Sequence, residues 1–154
     1  MEAASSCLIR PATSSDQPQI LSLARGERIK PTGLDWPRFI VADDDGKIVG
    51  AVQLRSHPDG SKELGSLVVA PAFRGRGVAA RLIERRLADA TGRVLVITGG
   101  AFEEYYRRWG FRRIRPGDAP PFVCLNYWIG YLGGGLLSVL RGRAVNHLAV
   151  LERQ

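Results

Sequence analysis

The chain has 154 residues, 45% hydrophobic and 24% charged, the balance of one soluble globular domain whose core needs no disulfide or metal staple. Lys and Arg outnumber Asp and Glu by 22 to 15, for a formal net charge of +7, so the surface attracts anions such as nucleotide phosphates, acidic substrates, RNA or anionic lipid. The two cysteines, Cys7 and Cys124, lie far apart and only two histidines accompany them, a set that argues against a Cys/His metal centre.

Short strands are expected to alternate with amphipathic helices. The opening stretch lacks the basic and apolar regions of a secretion signal, so the cytoplasm is the expected compartment. Cys7 to Arg10 reads as a strand closed by Pro11. Ser14, Ser15 and Asp16 form an N-cap cluster ahead of Ile20, Leu21 and Leu23, and Gly26 stops that helix. Lys30 to Pro37 reads as loop or broken helix, followed by a strand over Phe39 to Ala42 and a hairpin turn at Asp43 to Gly46. Lys47 to Arg55 returns as a strand with Ile48, Val52 and Leu54 on one face. A second turn at His57-Pro58-Asp59-Gly60 leads into a strand from Lys62 to Val69.

After Pro71, Arg74-Gly75-Arg76-Gly77 opens a helix whose apolar residues Val78, Leu82, Ile83, Leu87 and Ala90 keep helical spacing, and Thr91-Gly92 ends it. Val94 to Thr98 is an unbroken apolar run, as a doubly covered central strand requires. Phe102, Tyr105, Tyr106 and Trp109 fall at i, i+3, i+4 and i+7 on a short helix stopped by Gly110. Phe111 to Ile114 and Asn146 to Arg153 are the last strands. Between them, Phe122 to Leu140 carries no charge and is flanked by Arg141 and Arg143. Its length would suit a membrane span, but Asn126, Ser138 and the Gly133-Gly134-Gly135 run favour a buried or cleft-lining apolar insert, or a self-association surface.

The chemistry concentrates at Leu67 to Ala80. A strand feeds a glycine-rich turn that becomes a helix N-terminus, where unpaired N–H groups and the helix dipole favour an anion. It is not a P-loop, because the Gly-Lys-Ser/Thr ending is missing, and it lacks the three-glycine dinucleotide spacing. On local pattern alone it is either a phosphate cradle or an ordinary turn with a glycine for tight packing.

Arg74, Gly77 and Ala79, preceded by Val69 and Pro71, match the Arg/Gln-x-x-Gly-x-Gly/Ala signature, and Tyr105-Tyr106-Arg107-Arg108-Trp109-Gly110-Phe111 matches a downstream aromatic pair and Gly-Phe. In these motifs, their order and the strand and helix between them, the chain resembles the GNAT superfamily of acyl-CoA-dependent N-acetyltransferases from about Leu8 to Ile114. The match fades beyond Pro116. The resemblance implies an α/β fold with a mixed, mostly antiparallel six- to seven-stranded sheet, splayed centrally, and helices on both faces. It also implies one acetyltransferase domain over 1–154, with an apolar insert at 122–140 and a final strand at 145–153.

By the same resemblance acetyl-CoA is the cosubstrate. Its pantetheine arm would pair with Leu67, Val68 and Val69. Its pyrophosphate would rest on Gly75, Arg76, Gly77, Val78, Ala79 and Ala80, with Arg74 adding charge. Tyr106 occupies the position of the tyrosine that faces the thiol sulfur and would protonate the departing thiolate; by helical spacing alone it is a core aromatic packed with Phe102 and Trp109. Glu63 sits where some members carry a catalytic glutamate and would take the amine proton directly or through water; by sequence alone it is equally a solvated strand end beside Lys62.

Asp43, Asp44 and Asp45 suit a turn rather than a metal, and no metal is expected. His57 precedes a proline in a turn, and His147 opens the last strand. The implied reaction is direct attack of a primary amine on the thioester in a ternary complex, the acceptor being a small molecule or peptide. The alternatives are an RNA-binding protein or tRNA-directed acetyltransferase, and a CoA-binding protein without turnover. The absence of an RNA-binding motif and of a clear span argues against nucleic acid and membrane as partners, while a homodimer stays open. The loop from Thr32 to Trp36 is where an acceptor site would be shaped.

Overall fold

The computed structural model describes residues 7–27, 29, 33–140 and 148–154. Its elements follow in chain order as β1 (Leu8–Pro11), α1 (Gln17–Gly26), β2 (Phe39–Asp44), β3 (Lys47–Ser56), β4 (Lys62–Val69), α2 (Val78–Ala88), β5 (Val94–Gly99), α3 (Glu103–Arg107), β6 (Arg112–Ile114), α4 (Pro121–Leu140) and β7 (Leu148–Arg153). The strands form one seven-stranded sheet in the order β1-β2-β3-β4-β5-β7-β6. The β4–β5 pair is parallel, while β1–β2, β2–β3, β5–β7 and β6–β7 are antiparallel. This is the mixed, mostly antiparallel α/β sheet expected. The parallel ladder is short, with Lys62, Glu63 and Leu64 opposite Val94, Leu95 and Val96. Part of the Lys30 to Pro37 loop, Arg141, Arg143 and residues 145–147 at the start of the expected last strand lie outside the described residues.

Two compact units divide the chain, one built from Met1–Leu54 and Gly65–Ala90, the other from Arg55–Leu64 and Thr91–Gln154. In the first, Asp45 and Gly46 both take positive φ (50° and 87°), the pair of left-handed residues that a two-residue hairpin turn needs, and Asp43 Oδ1 accepts the Gly46 N–H at 2.7 Å. The β2–β3 register shifts between Ala42 and Asp43. That bulge moves Ile48 onto the face of Ala51, where both pack with Ile20 and Ala24 of α1, Phe39, Val41 and Val68. The expected single face of Ile48, Val52 and Leu54 is therefore broken, since alternation sends Gly50, Val52 and Leu54 to the opposite side. There α2 approaches so closely that a Cβ on Gly50 would lie 3.0 Å from Leu82 Cδ1, 3.3 Å from Val78 Cγ1 and 3.3 Å from the Val68 carbonyl. Arg10 bridges Asp16 and Asp43 at 2.7 Å each, tying β1 to the helix entrance and to the β2–β3 turn.

In the second unit Leu95, Val150, Ala119, Val123 and Tyr127 form a core, joined by Ile97, Ile114, Cys124 and Leu148. Val123 and Tyr127 are four residues apart on α4, so one stripe of that helix covers β5 and β7. The apolar segment thus lies within a 20-residue helix, of which Val123 and Tyr127 are buried. Phe122, Leu125, Trp128, Ile129 and Leu132 lie on its exposed side. Among the described residues no helix is long and apolar enough to cross a membrane.

Candidate active site

In the first unit, the end of β4 builds the glycine turn. Ser66 holds φ at +51° within the strand, a left-handed conformation that kinks β4 just before Leu67, and its Oγ accepts from Gln53 Nε2 at 2.7 Å. The buried Gln53 Oε1 has no partner among the described residues. After Val69 the chain leaves the strand through a single turn at Pro71–Phe73. Arg74 then folds back, donating from Nε to the Val69 carbonyl at 3.0 Å and pairing through Nη2 with Glu27. Its guanidinium therefore braces the turn, a structural use that the sequence reading did not foresee. Arg76 lies over the Phe73 ring at 5.5 Å.

Gly75 and Gly77 have φ of +74° and +75°, and Gly77 is the N-cap of α2. The first hydrogen bond across this helix start runs from the Arg81 N–H to the Gly77 carbonyl at 3.1 Å, so the N–H groups of Val78, Ala79 and Ala80 precede the helical ladder. A Cβ at Gly75 or Gly77 would meet no atom within 4 Å. The turn thus presents left-handed backbone and helix-start donors to open space, which fits an anion the size of a phosphate.

In the second unit, Tyr106 is 6% exposed, with ring contacts to Tyr105 at 5.7 Å, Trp109 at 6.2 Å and Phe111 at 5.7 Å. Phe102, expected on the same buried face, is 59% exposed, because α3 is one short turn of Glu103–Arg107 and Phe102 precedes it. Burial, helped by Tyr105, pushes the Tyr106 phenol up to about 12, so it stays protonated throughout the neutral range. Among the described residues its hydroxyl has no hydrogen-bond partner.

Glu63 is 5% exposed and is not a solvated strand end. Lys62 turns away from it, donating from Nζ to the Thr91 carbonyl at 2.7 Å. Three donors meet the Glu63 carboxylate: Arg55 Nη2 at 3.2 Å on Oε1, and His57 Nε2 at 2.9 Å and Asn126 Nδ2 at 3.1 Å on Oε2. The His57 ring stacks on Phe122 with centroids 5.8 Å apart and planes 7° apart. Asp59 accepts the Phe122 N–H at 3.2 Å, and the Ser61 hydroxyl holds its carboxyl below the ordinary range. Sequence reasoning passed over Arg55, His57 and Asn126. The first two were within reach of it, because a hairpin closed by the His57 N–H on the Ser61 carbonyl places Arg55 across from Glu63. Asn126 had no such signal. Among the described residues, no cluster of three or more His, Cys, Asp or Glu is placed to hold a metal ion.

A sequence model described as the acetyltransferase (GNAT) domain matches residues 35–113, just over half of the chain. The chain belongs to the GNAT acetyltransferase family. A mycothiol acetyltransferase of Rhodococcus jostii (strain RHA1) is 32% identical over 84 residues, which is 54% of this chain and 28% of that protein. The chain thus spans little more than a quarter of that relative's length. Rv2747 of Mycobacterium tuberculosis, solved in complex with CoA and NLQ, is 26% identical, with a TM-score of 0.69 over 94% of this chain and 97% of that one. The N-acetylglutamate synthase of Neisseria gonorrhoeae complexed with coenzyme A and N-acetyl-glutamate has a TM-score of 0.71 at 20% identity, over 99% of this chain and 35% of that one, a likeness of fold.

Proposed function

We propose that this GNAT domain transfers an acetyl group from acetyl-CoA to a primary amine. The observation that carries the reading is the paired left-handed glycines, Gly75 and Gly77, opening α2 toward unfilled space in a chain of this family. Acetyl-CoA would supply the activated acyl group. Leu67, Val68 and Val69 lie beyond the three-pair ladder to β5, so their backbone groups on that side would pair with the pantetheine amides. The N–H groups of Gly75 to Ala80 would hold the pyrophosphate. That the Rv2747 relative was solved with CoA supports this assignment.

In the second unit Tyr106 donates a proton to the leaving sulfur, a role supported by a phenol that stays protonated at neutral pH and a hydroxyl with no partner among the described residues. The Glu63 cluster is the sink for the amine proton. The net charge of +7 favours an acceptor that carries negative charge of its own. The test is CoA-thiol release by the full chain over a panel of primary amines, beside calorimetric binding of acetyl-CoA. Release that depends on the amine supports the reading. Binding without release would make the chain a CoA-binding protein, and no binding at millimolar acetyl-CoA would remove the reading altogether.

A further inference from the structure

Glu63 cannot easily receive a proton itself. Both of its oxygens are occupied, by Arg55, His57 and Asn126, and the residue is buried. A carboxylate offers about four lone pairs, so these three donors leave a single acceptor position, on Oε1 beside Arg55, and it belongs to a buried side chain. His57 has no such obstacle. Its Nε2 faces Glu63 Oε2 at 2.9 Å, and a carboxylate there selects the tautomer with the proton on Nε2 and the lone pair on Nδ1. Among the described residues Nδ1 has no partner. The ring is fixed in plane by Phe122 and its backbone is fixed at both ends, the N–H on the Ser61 carbonyl and the carbonyl under the Gly60 N–H, each at 2.9 Å. The side chain keeps 11% exposure, against 6% for that of Glu63.

Resting on the acetyl-transfer reading above, we propose that His57 takes the proton from the acceptor amine at Nδ1 and that Glu63 is the residue that positions it. As the amine nitrogen bonds to the acetyl carbon and the carbon–sulfur bond breaks, one N–H proton moves to Nδ1. The departing sulfur takes the phenolic proton of Tyr106. Solvent then removes the proton from His57 and restores the one on Tyr106, so the sum is amide plus free thiol. The charged and titratable groups facing the imidazole are Glu63 on β4, Arg55 on β3 and Asp59 in its own turn; α4 presents the neutral Asn126 and Phe122. An imidazolium formed here is balanced by Glu63 and Asp59 at the moment it appears.

The test uses the full chain with glutamate, putrescine and a dipeptide as amines, following thiol release against pH. His57→Gln keeps a donor for Glu63, and should lower kcat/KM by roughly 10²–10⁴-fold and remove the acidic limb of its pH profile. Glu63→Gln should lower kcat by a similar order while keeping that limb, because the base remains but its tautomer is no longer held. Free imidazole should restore part of the activity of His57→Ala, a response that a merely structural residue would not give. Nitrogen-15 spectra of the unligated protein check the tautomer without any turnover, and should show the proton on Nε2. A His57→Gln enzyme with a wild-type rate and limb, or spectra placing the proton on Nδ1, would overturn the assignment and return the base to Glu63. Wild-type protein that releases no thiol with any of the amines would overturn the acetyl-transfer reading, and this proposal with it.

Discussion

Gly77→Ala separates what the turn costs the fold from what it offers a ligand. At φ +75° an L-residue occupies the left-handed region, a penalty of about 1–2 kcal/mol. The new methyl meets no atom within 4 Å, so no steric cost is added in the free protein. At about 2–4 °C per kcal/mol for a chain of this size, the melting temperature should fall by roughly 2–8 °C. Gly46 is the internal control, because it has φ +87° and the same empty surroundings but lies in the β2–β3 hairpin turn. Gly46→Ala should lose a similar amount of stability. The two variants should part company when CoA is added. At about 100 times its Kd a ligand stabilises the native state by roughly 2.7 kcal/mol, a rise of about 5–11 °C for wild type and Gly46→Ala alike. If the turn holds the pyrophosphate as proposed, the Gly77→Ala methyl would stand in its approach to the backbone, and the rise should collapse. Thermal denaturation with and without CoA, backed by calorimetry, reads both effects. If Gly77→Ala keeps the full rise the turn is not the cradle; if Gly46→Ala loses it as well, the loss reflects folding and not contact.

Tyr106→Phe should leave the CoA-induced rise intact and lower turnover by roughly 10²–10⁴-fold, with Tyr105→Phe nearly silent in the same thiol-release assay. The fold favours the neutral phenol, so the stability tied to Tyr106 is complete below its unfolded value of 10.0 and is lost as pH rises to about 12; urea unfolding should reveal a loss approaching 3 kcal/mol over that window in wild type, and none of it in Tyr106→Phe. Asp16 behaves in the opposite sense. Arg10 holds its carboxyl at about 2 against an ordinary 3.8, so its contribution is complete above 3.8 and fades as pH falls through 2, and the stability gap between wild type and Asp16→Asn should narrow across that range. Gly50→Ala should cost about 1–3 kcal/mol by equilibrium unfolding, because the Val68 carbonyl behind Gly50 cannot step aside as the Leu82 methyl can. Along α4, Val123→Ala should cost well over 1 kcal/mol and Ile129→Ala less than about 0.5 kcal/mol, a contrast that checks which stripe of the helix is buried.

Where local chemistry alone decides the backbone, the fold could be read from the residues. The β4 limits of Lys62 and Val69, the glycine turn and the start of α2 at Val78 all follow from alternation, proline and left-handed glycines. Where tertiary register decides, the residues were silent. The bulge beside Asp43 flips Ile48, and nothing in the identity of Ile48 or Val49 announces it. Phe102 obeys helical spacing and still lies in solvent, because a five-residue helix has no second turn to carry that face. Glu63 was singled out by its position in the resemblance, but its surroundings could not be read from the sequence. His57 lies six residues away across a hairpin, and Asn126 arrives from a helix 63 residues later, a distance no local pattern spans. Arg74 illustrates a different limit, since its charge was legible and the carbonyl and carboxylate that engage it were not.

The aromatic cluster around Tyr106 has an optical consequence. Trp109 lies 6.2 Å from the Tyr106 ring, while Trp36 and Trp128 sit at the surface. A phenolate absorbs where indole emits, so ionisation of Tyr106 quenches the neighbouring Trp109 by energy transfer. Tyr105 lies closer still to Trp109, at 5.1 Å, so with Trp36, Trp128 and Tyr105 all replaced by phenylalanine the emission of this one indole becomes a gauge of the protonation state of Tyr106.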